Sequence, residues 1–170
     1  MITSEMVKHI QGTLNGLTKG KNTNFGQDLD AETVPGSGIL VVLTDGKDVE
    51  SLSNSVGKKV LASSTVLGKN DDIFTVEDKT INVINIPYSE SISIEKGSAT
   101  GFAIVQVTST NLKEVSIVGS NENADPRKKY VIDNTNLEGC SVLFSGTIST
   151  TQTIEENNSF SLSNIKITFN

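Results

Sequence analysis

The sequence predicts a mainly β protein: an antiparallel β-sandwich, Ig-like or jelly-roll-like, preceded by a short N-terminal helix and an extended linker. Three observations carry this expectation. From Gly38 onward, short β-branched runs alternate with turn residues, as in a sandwich or barrel. Aromatic residues make up 5% of the chain and tryptophan is absent, so Ile, Val and Leu must fill the core. Ser, Thr and Asn recur throughout; they suit solvated strand faces and turns but compete with the backbone inside helices.

The helix is predicted from Met6, Ile10, Leu14 and Leu17, which recur at intervals of four, four and three along one stripe, with Ile2 extending it backwards. Thr3 or Ser4 is the expected N-cap, and Glu5 favours the positive end of the helix dipole. Glycines 16 and 20 mark the stop. A helix of about four turns is marginal alone, so its stripe must be buried against the β domain or a neighbouring subunit. From Thr18 to Gly38 little periodicity remains, with Phe25, Leu29 and Val34 as possible anchors before Pro35-Gly36-Ser37-Gly38. Connectors this long are commonly functional arms or linkers. The expected organisation is therefore an N-terminal helix and flexible arm over 1–37 and a β-sandwich domain over 38–170.

Within that domain, Ile39 to Leu43 is a continuous apolar run suited to a central strand, closed by the turn Thr44-Asp45-Gly46-Lys47. Further strands are predicted at Lys59–Val66, Ile73–Val76, Thr80–Ile86, Ser91–Ile94, Gly101–Val107, Glu114–Val118, Lys129–Ile132, Cys140–Ile148 and Ser159–Phe169. Alternation places Cys140, Val142, Phe144, Gly146 and Ile148 on one inward face. Parity changes between Phe160-Leu162 and Ile165-Ile167-Phe169, and again between Ile81-Val83 and Ile84-Ile86, which predicts a bulge or bend at Ser163-Asn164 and an irregularity before Pro87.

The residues offer little for catalysis. His9 is the single histidine and Cys140 the single cysteine, so neither a Ser-His-Asp or Cys-His arrangement nor a zinc site assembles, and no catalytic residue, cofactor or metal ligand is assigned. Cys140, sharing strand parity with Val142 and Phe144, is expected to act as a small buried hydrophobe. The acidic groups Asp45-Gly46-Lys47-Asp48, Asn70-Asp71-Asp72 and Asn121 to Asp125 lack the calcium-loop order and suit turns. A net charge of −6 argues against a nucleic-acid partner, and the basic run Arg127-Lys128-Lys129 is expected to be a solvated strand entrance. No stretch approaches about 18 consecutive apolar residues, and Met1 to Leu17 has neither the apolar core nor the cleavage site of an export signal. Neither a membrane partner nor export is expected.

Lys96-Gly97-Ser98-Ala99-Thr100-Gly101-Phe102-Ala103-Ile104, with Asn157 to Leu162 and Ile165-Lys166-Ile167-Thr168-Phe169, resembles small virion structural proteins of tailed bacteriophages. The resemblance implies a short helix, a β domain and a non-enzymatic role in the particle, assembled in the host bacterial cytoplasm. A capsid decoration or auxiliary protein is the leading expectation and a tail or neck accessory its variant. Implied partners are other virion proteins, whether major capsid, neck or tail, and further copies of the chain, with trimers favoured on capsid surfaces. The arm then supplies the candidate assembly contacts Met6, Ile10, Leu14, Leu17 and Phe25. A competing expectation is a carbohydrate or cell-surface binding module whose ligand sits on loops such as Asn70–Ile73 or Gly119–Asp125.

Overall fold

The computed structural model describes residues 2–19, 37–46, 49–52, 59–64, 74–83, 91–115, 129–155 and 165–169. It is mainly β, with one N-terminal helix and antiparallel sheets.

The apolar run becomes β1 (Ser37–Thr44), the middle of a five-stranded antiparallel sheet. Its neighbours are β2 (Val60–Ser64) and β6 (Gly97–Thr108), flanked by β5 (Ser91–Ser93) and β9 (Ser141–Ile154). The pairing explains why β1 lacks polar alternation: both of its faces are covered. Ile39, Val41 and Leu43 enter one apolar cluster, while Leu40 and Val42 enter a second on the opposite face. Burying each such side chain is worth about 1.5–3 kcal/mol.

The first cluster is roofed by a second sheet, ordered β10-β4-β3, made of β3 (Phe74–Glu77), β4 (Thr80–Val83) and β10 (Ile165–Thr168). Phe74 and Ile81 are fully buried there. Strands β3 and β4 form a hairpin whose two-residue loop begins with Asp78 at φ 52°, a left-handed conformation that Asp tolerates through local hydrogen bonding. The Phe169 N–H donates to the Lys79 carbonyl at 2.9 Å, and the Phe169 ring meets Phe144 of β9 edge-to-face at 5.8 Å. The bond extends the β10–β4 ladder, and the ring contact ties the two sheets together.

Helix α1 (Ser4–Lys19) completes this roof, lying against β3, β4 and β1. The predicted cap is present as Met6 N–H donating to Thr3 Oγ1 at 3.3 Å. The phase of the stripe is corrected. Val7 and Leu14 are the buried pair, at 0% and 3% exposure, whereas Met6 is 47% exposed. At 3.6 residues per turn Met6 points about 100° from Val7, outside an apolar stripe of ordinary width. Two adjacent apolar residues leave the phase open, and the seat on the sheet selects Val7.

The second cluster is covered differently, by Val49 and Leu52, by the hairpin of β7 (Leu112–Val115) and β8 (Lys129–Ile132), and by Leu137 with Cys140. The predicted strands all recur, with shifts in extent. Strand β6 starts at Gly97 and β9 runs on to Ile154, while Ile84–Ile86 and Ser163-Asn164, where irregularities are expected, lie outside the described residues.

The single inward face expected for β9 is also corrected. Ile104 pairs with Phe144 and Val105 with Val142, leaving Leu143 as an extra residue on β9. That bulge reverses parity. Cys140 and Val142 therefore pack on the second cluster, and Phe144 and Ile148 on the first. A second slip, Leu43 with Ala62 but Thr44 with Val60, makes Leu61 extra on β2, and both Leu61 and Ala62 enter the first cluster. Gly146 pairs with Phe102, and a methyl group there would lie 3.0 Å from the ring, a close approach that a larger residue meets only if the ring shifts by a few tenths of an ångström.

Candidate assembly surface

The helix is held to the β body by polar bonds as well as by its apolar stripe. Strand β3 forms one edge of the three-stranded sheet. At that edge Asn15 places its amide against the peptide groups of Phe74: Nδ2 donates to the Phe74 carbonyl at 2.8 Å and Oδ1 accepts the Phe74 N–H at 3.2 Å. Gln11 Nε2 donates to the same carbonyl at 2.8 Å. A primary amide carries the same donor and acceptor as a peptide, so Asn15 stands in for a neighbouring strand. Gln11 and Asn15 are four apart and border the Val7–Leu14 line, so both reach the strand from one helix face. The sequence signal is this amide pair beside the stripe, which a search for apolar periodicity passes over because it weighs only apolar residues.

The expected assembly contacts do not form one outer patch. Leu14 is buried in the protein's own first core and Ile10 packs partly against it. Met6 is exposed. The Leu17 side chain and Phe25 lie outside the described residues.

At the far side of the central sheet, β9 is an edge strand that, among the described residues, pairs only with β6. Its fourteen residues contain no charge, and Ser141, Thr147, Thr151, Gln152 and Thr153 are exposed. Edges are usually defended by charge, proline or bulges. Here bulging is the defence in use, at Leu143 and between Thr147 and Gln152, where four residues of β9 oppose Thr100 alone.

Several further polar groups among the described residues hold the fold together. Asp45, expected in a turn, accepts the Lys59 N–H at 2.8 Å and donates its own N–H to the Lys59 carbonyl at 3.3 Å. The Lys59 ammonium reaches Glu95 at 3.2 Å, and the other Glu95 oxygen accepts from Asn134 at 3.1 Å. Asn111, fully buried, is saturated: Oδ1 accepts from the Thr108 N–H and hydroxyl, and Nδ2 donates to the carbonyls of Asn136 and Glu138 at 2.9 and 2.8 Å. Partial burial pushes the Asp133 carboxyl upward, but bonds from the Thr135 hydroxyl and N–H, with the Lys113 charge, outweigh it and leave the group below its ordinary value.

Burial raises the Cys140 thiol above its ordinary value, against a weaker opposing backbone hydrogen bond. The thiol is thus kept protonated and less nucleophilic, in keeping with its packing on the second cluster. His9 is exposed on the helix. Among the described residues no group of three or more His, Cys, Asp or Glu is placed to hold a metal, and no helix is long and apolar enough to cross a membrane. Asn70–Ile73 and Gly119–Asp125, the loops offered for a glycan, and Arg127-Lys128 of the basic run fall outside the described residues. No family model, curated protein or solved structure matches this chain.

Proposed function

We propose that the chain is a non-enzymatic structural protein of a tailed-bacteriophage particle, an auxiliary or decoration protein on the capsid. In this reading the β body is an antiparallel sandwich of the Ig-like or jelly-roll-like kind. Subunit contacts come from the N-terminal helix and from sheet edges, and the partners are the major capsid protein and further copies of the chain.

The observation that carries the reading is the resemblance over Lys96–Ile104, Asn157–Leu162 and Ile165–Phe169. The first and last of these coincide with β6, in the central sheet, and with β10, in its roof, and Asn157–Leu162 lies outside the described residues. The uncharged edge of β9 supports the same reading over its regular stretch Phe144–Thr147, between the two bulges, where a strand edge stays open to pairing with another chain. Mass spectrometry of purified particles tests it: many copies per particle are expected, and absence from the particle refutes it. Reconstruction of the particle then separates a capsid position from a tail or neck position.

A further inference from the structure

We propose that α1 exchanges between copies of this chain, the helix of one copy occupying the seat formed by β3, β4 and β1 of a second copy, with its Asn15 and Gln11 bonded to that copy's Phe74. The inference deepens the assembly reading above and rests on it for its biological setting.

Four observations lead to it. First, the helix cannot act as a bare arm. Undocking exposes Val7 and Leu14, which are 0% and 3% exposed when seated, and a sixteen-residue helix is marginal in water without a surface to bury its stripe. A contact made through this helix therefore needs a seat. Second, the seat is already defined. It consists of the apolar surface of the first cluster and the Phe74 peptide edge, to which the helix is bonded across 59 and 63 residues of chain.

Third, the covalent tie between helix and seat is long. Seventeen residues separate Lys19 from Ser37, a connection whose reach is at most about 60 Å. A folded body of this length has a radius of gyration of about 15 Å, so a neighbouring body lies within reach. Fourth, exchange conserves the docking interactions, because the seat a helix vacates in one copy is filled by the same helix from another. The balance is then one of concentration. A tether of seventeen residues, taken as a random coil, corresponds to an effective concentration of about a millimolar. Isolated copies in dilute solution keep their own helices. Copies crowded on a particle surface reach the concentration at which the two arrangements compete.

The test uses the full-length chain in two isotopic forms, with natural-abundance and nitrogen-15 copies mixed, co-refolded from urea to remove any kinetic barrier, and cross-linked through lysine amines. Lys8 on α1 and Lys79 in the β3–β4 turn report docking. With the two forms mixed equally, same-isotope Lys8–Lys79 links are expected at micromolar protein, with mixed-isotope links rising to about a quarter of the total near a millimolar, since only half of the exchanged pairs are mixed. Doubling the connection with seventeen inserted Gly and Ser residues lowers the effective concentration about threefold and raises the mixed fraction at fixed protein concentration to match. Same-isotope links alone, at a millimolar and with the lengthened connection, would overturn the proposal. Because the experiment needs no particle, its failure leaves the virion reading untouched, and absence of the chain from particles leaves exchange in solution intact.

Discussion

The two faces of the central sheet are covered by different means. On one face the cover is regular, with β10-β4-β3 and α1 supplying backbone partners from ladder and helix, and among the described residues side chains add to them at the start of α1, through Thr3, and at the β3 edge. On the other, the cover over residues 133–140 is a chain of turns: the Asn136 N–H bonds the Asp133 carbonyl, the Cys140 N–H bonds the Leu137 carbonyl, and Gly139 takes φ +82°. Irregular backbone has no ladder to join, yet its buried peptide groups still need partners. Asn111 supplies them. The contrast shows where a single polar substitution is felt, which is under the irregular cover more than under the regular one.

The largest effect is therefore expected from Asn111→Ala, which leaves the Thr108 N–H and the Asn136 and Glu138 carbonyls without their buried partner. These groups are part-buried, so at the lower end of about 1–3 kcal/mol for each, a loss of about 3 kcal/mol in urea unfolding is expected. A loss below about 1 kcal/mol would show that water or rearrangement replaces the clasp. Next comes the regular cover. Leu14→Ala should cost about 2–4 kcal/mol by the cavity it leaves, while Met6→Ala stays within about 0.5 kcal/mol. Equal effects at the two positions would undo the corrected helix phase.

Asn15→Ala should be smaller, about 1–2 kcal/mol, because Gln11 still holds the Phe74 carbonyl and only the N–H is left unpaired. Hydrogen exchange at the Phe74 amide is the direct readout and should accelerate. The smallest effect concerns acid. The folded Asp133 value lies below the unfolded one, so its contribution to stability is present above the ordinary carboxylate value and is lost as pH falls through the depressed folded value. Melting temperatures of the wild type and Asp133→Asn, followed from neutral pH down to about 2, should converge at the acid end. Parallel curves would mean that the turn does not depend on the charge.

The strands were legible because β-branched runs between turn residues report local backbone preference, and local preference agrees with the fold. Their faces were not. Along Ile39–Leu43 both sides are buried, so an apolar run carries no inside or outside. Along β9 the face changes at Leu143, whose role as the extra residue is set by pairing with Ile104 and Val105 some forty positions earlier. The helix was legible as a helix, but Met6 and Val7 offered two phases and only the sheet beneath chooses between them. Of the candidate surface, the four residues named from the stripe include Leu14 of the protein's own core and Ile10 packed against it, while Phe25, named from the connector, lies outside the described residues. Asn15 escaped notice because its partner is a backbone edge 59 residues away. Asn111 looks like any turn asparagine until Asn136 and Glu138 are brought beside it.

The position of β1 also has a consequence in time. Its first partner, β2, follows within twenty residues, but β6, which pairs along its whole length, begins at Gly97. At roughly 5–20 residues per second of synthesis, Ile39–Leu43 waits several seconds with one edge open and both apolar faces uncovered. During that interval this strand is the stretch that a chaperone would hold, and the first to be lost to aggregation if β6 is delayed.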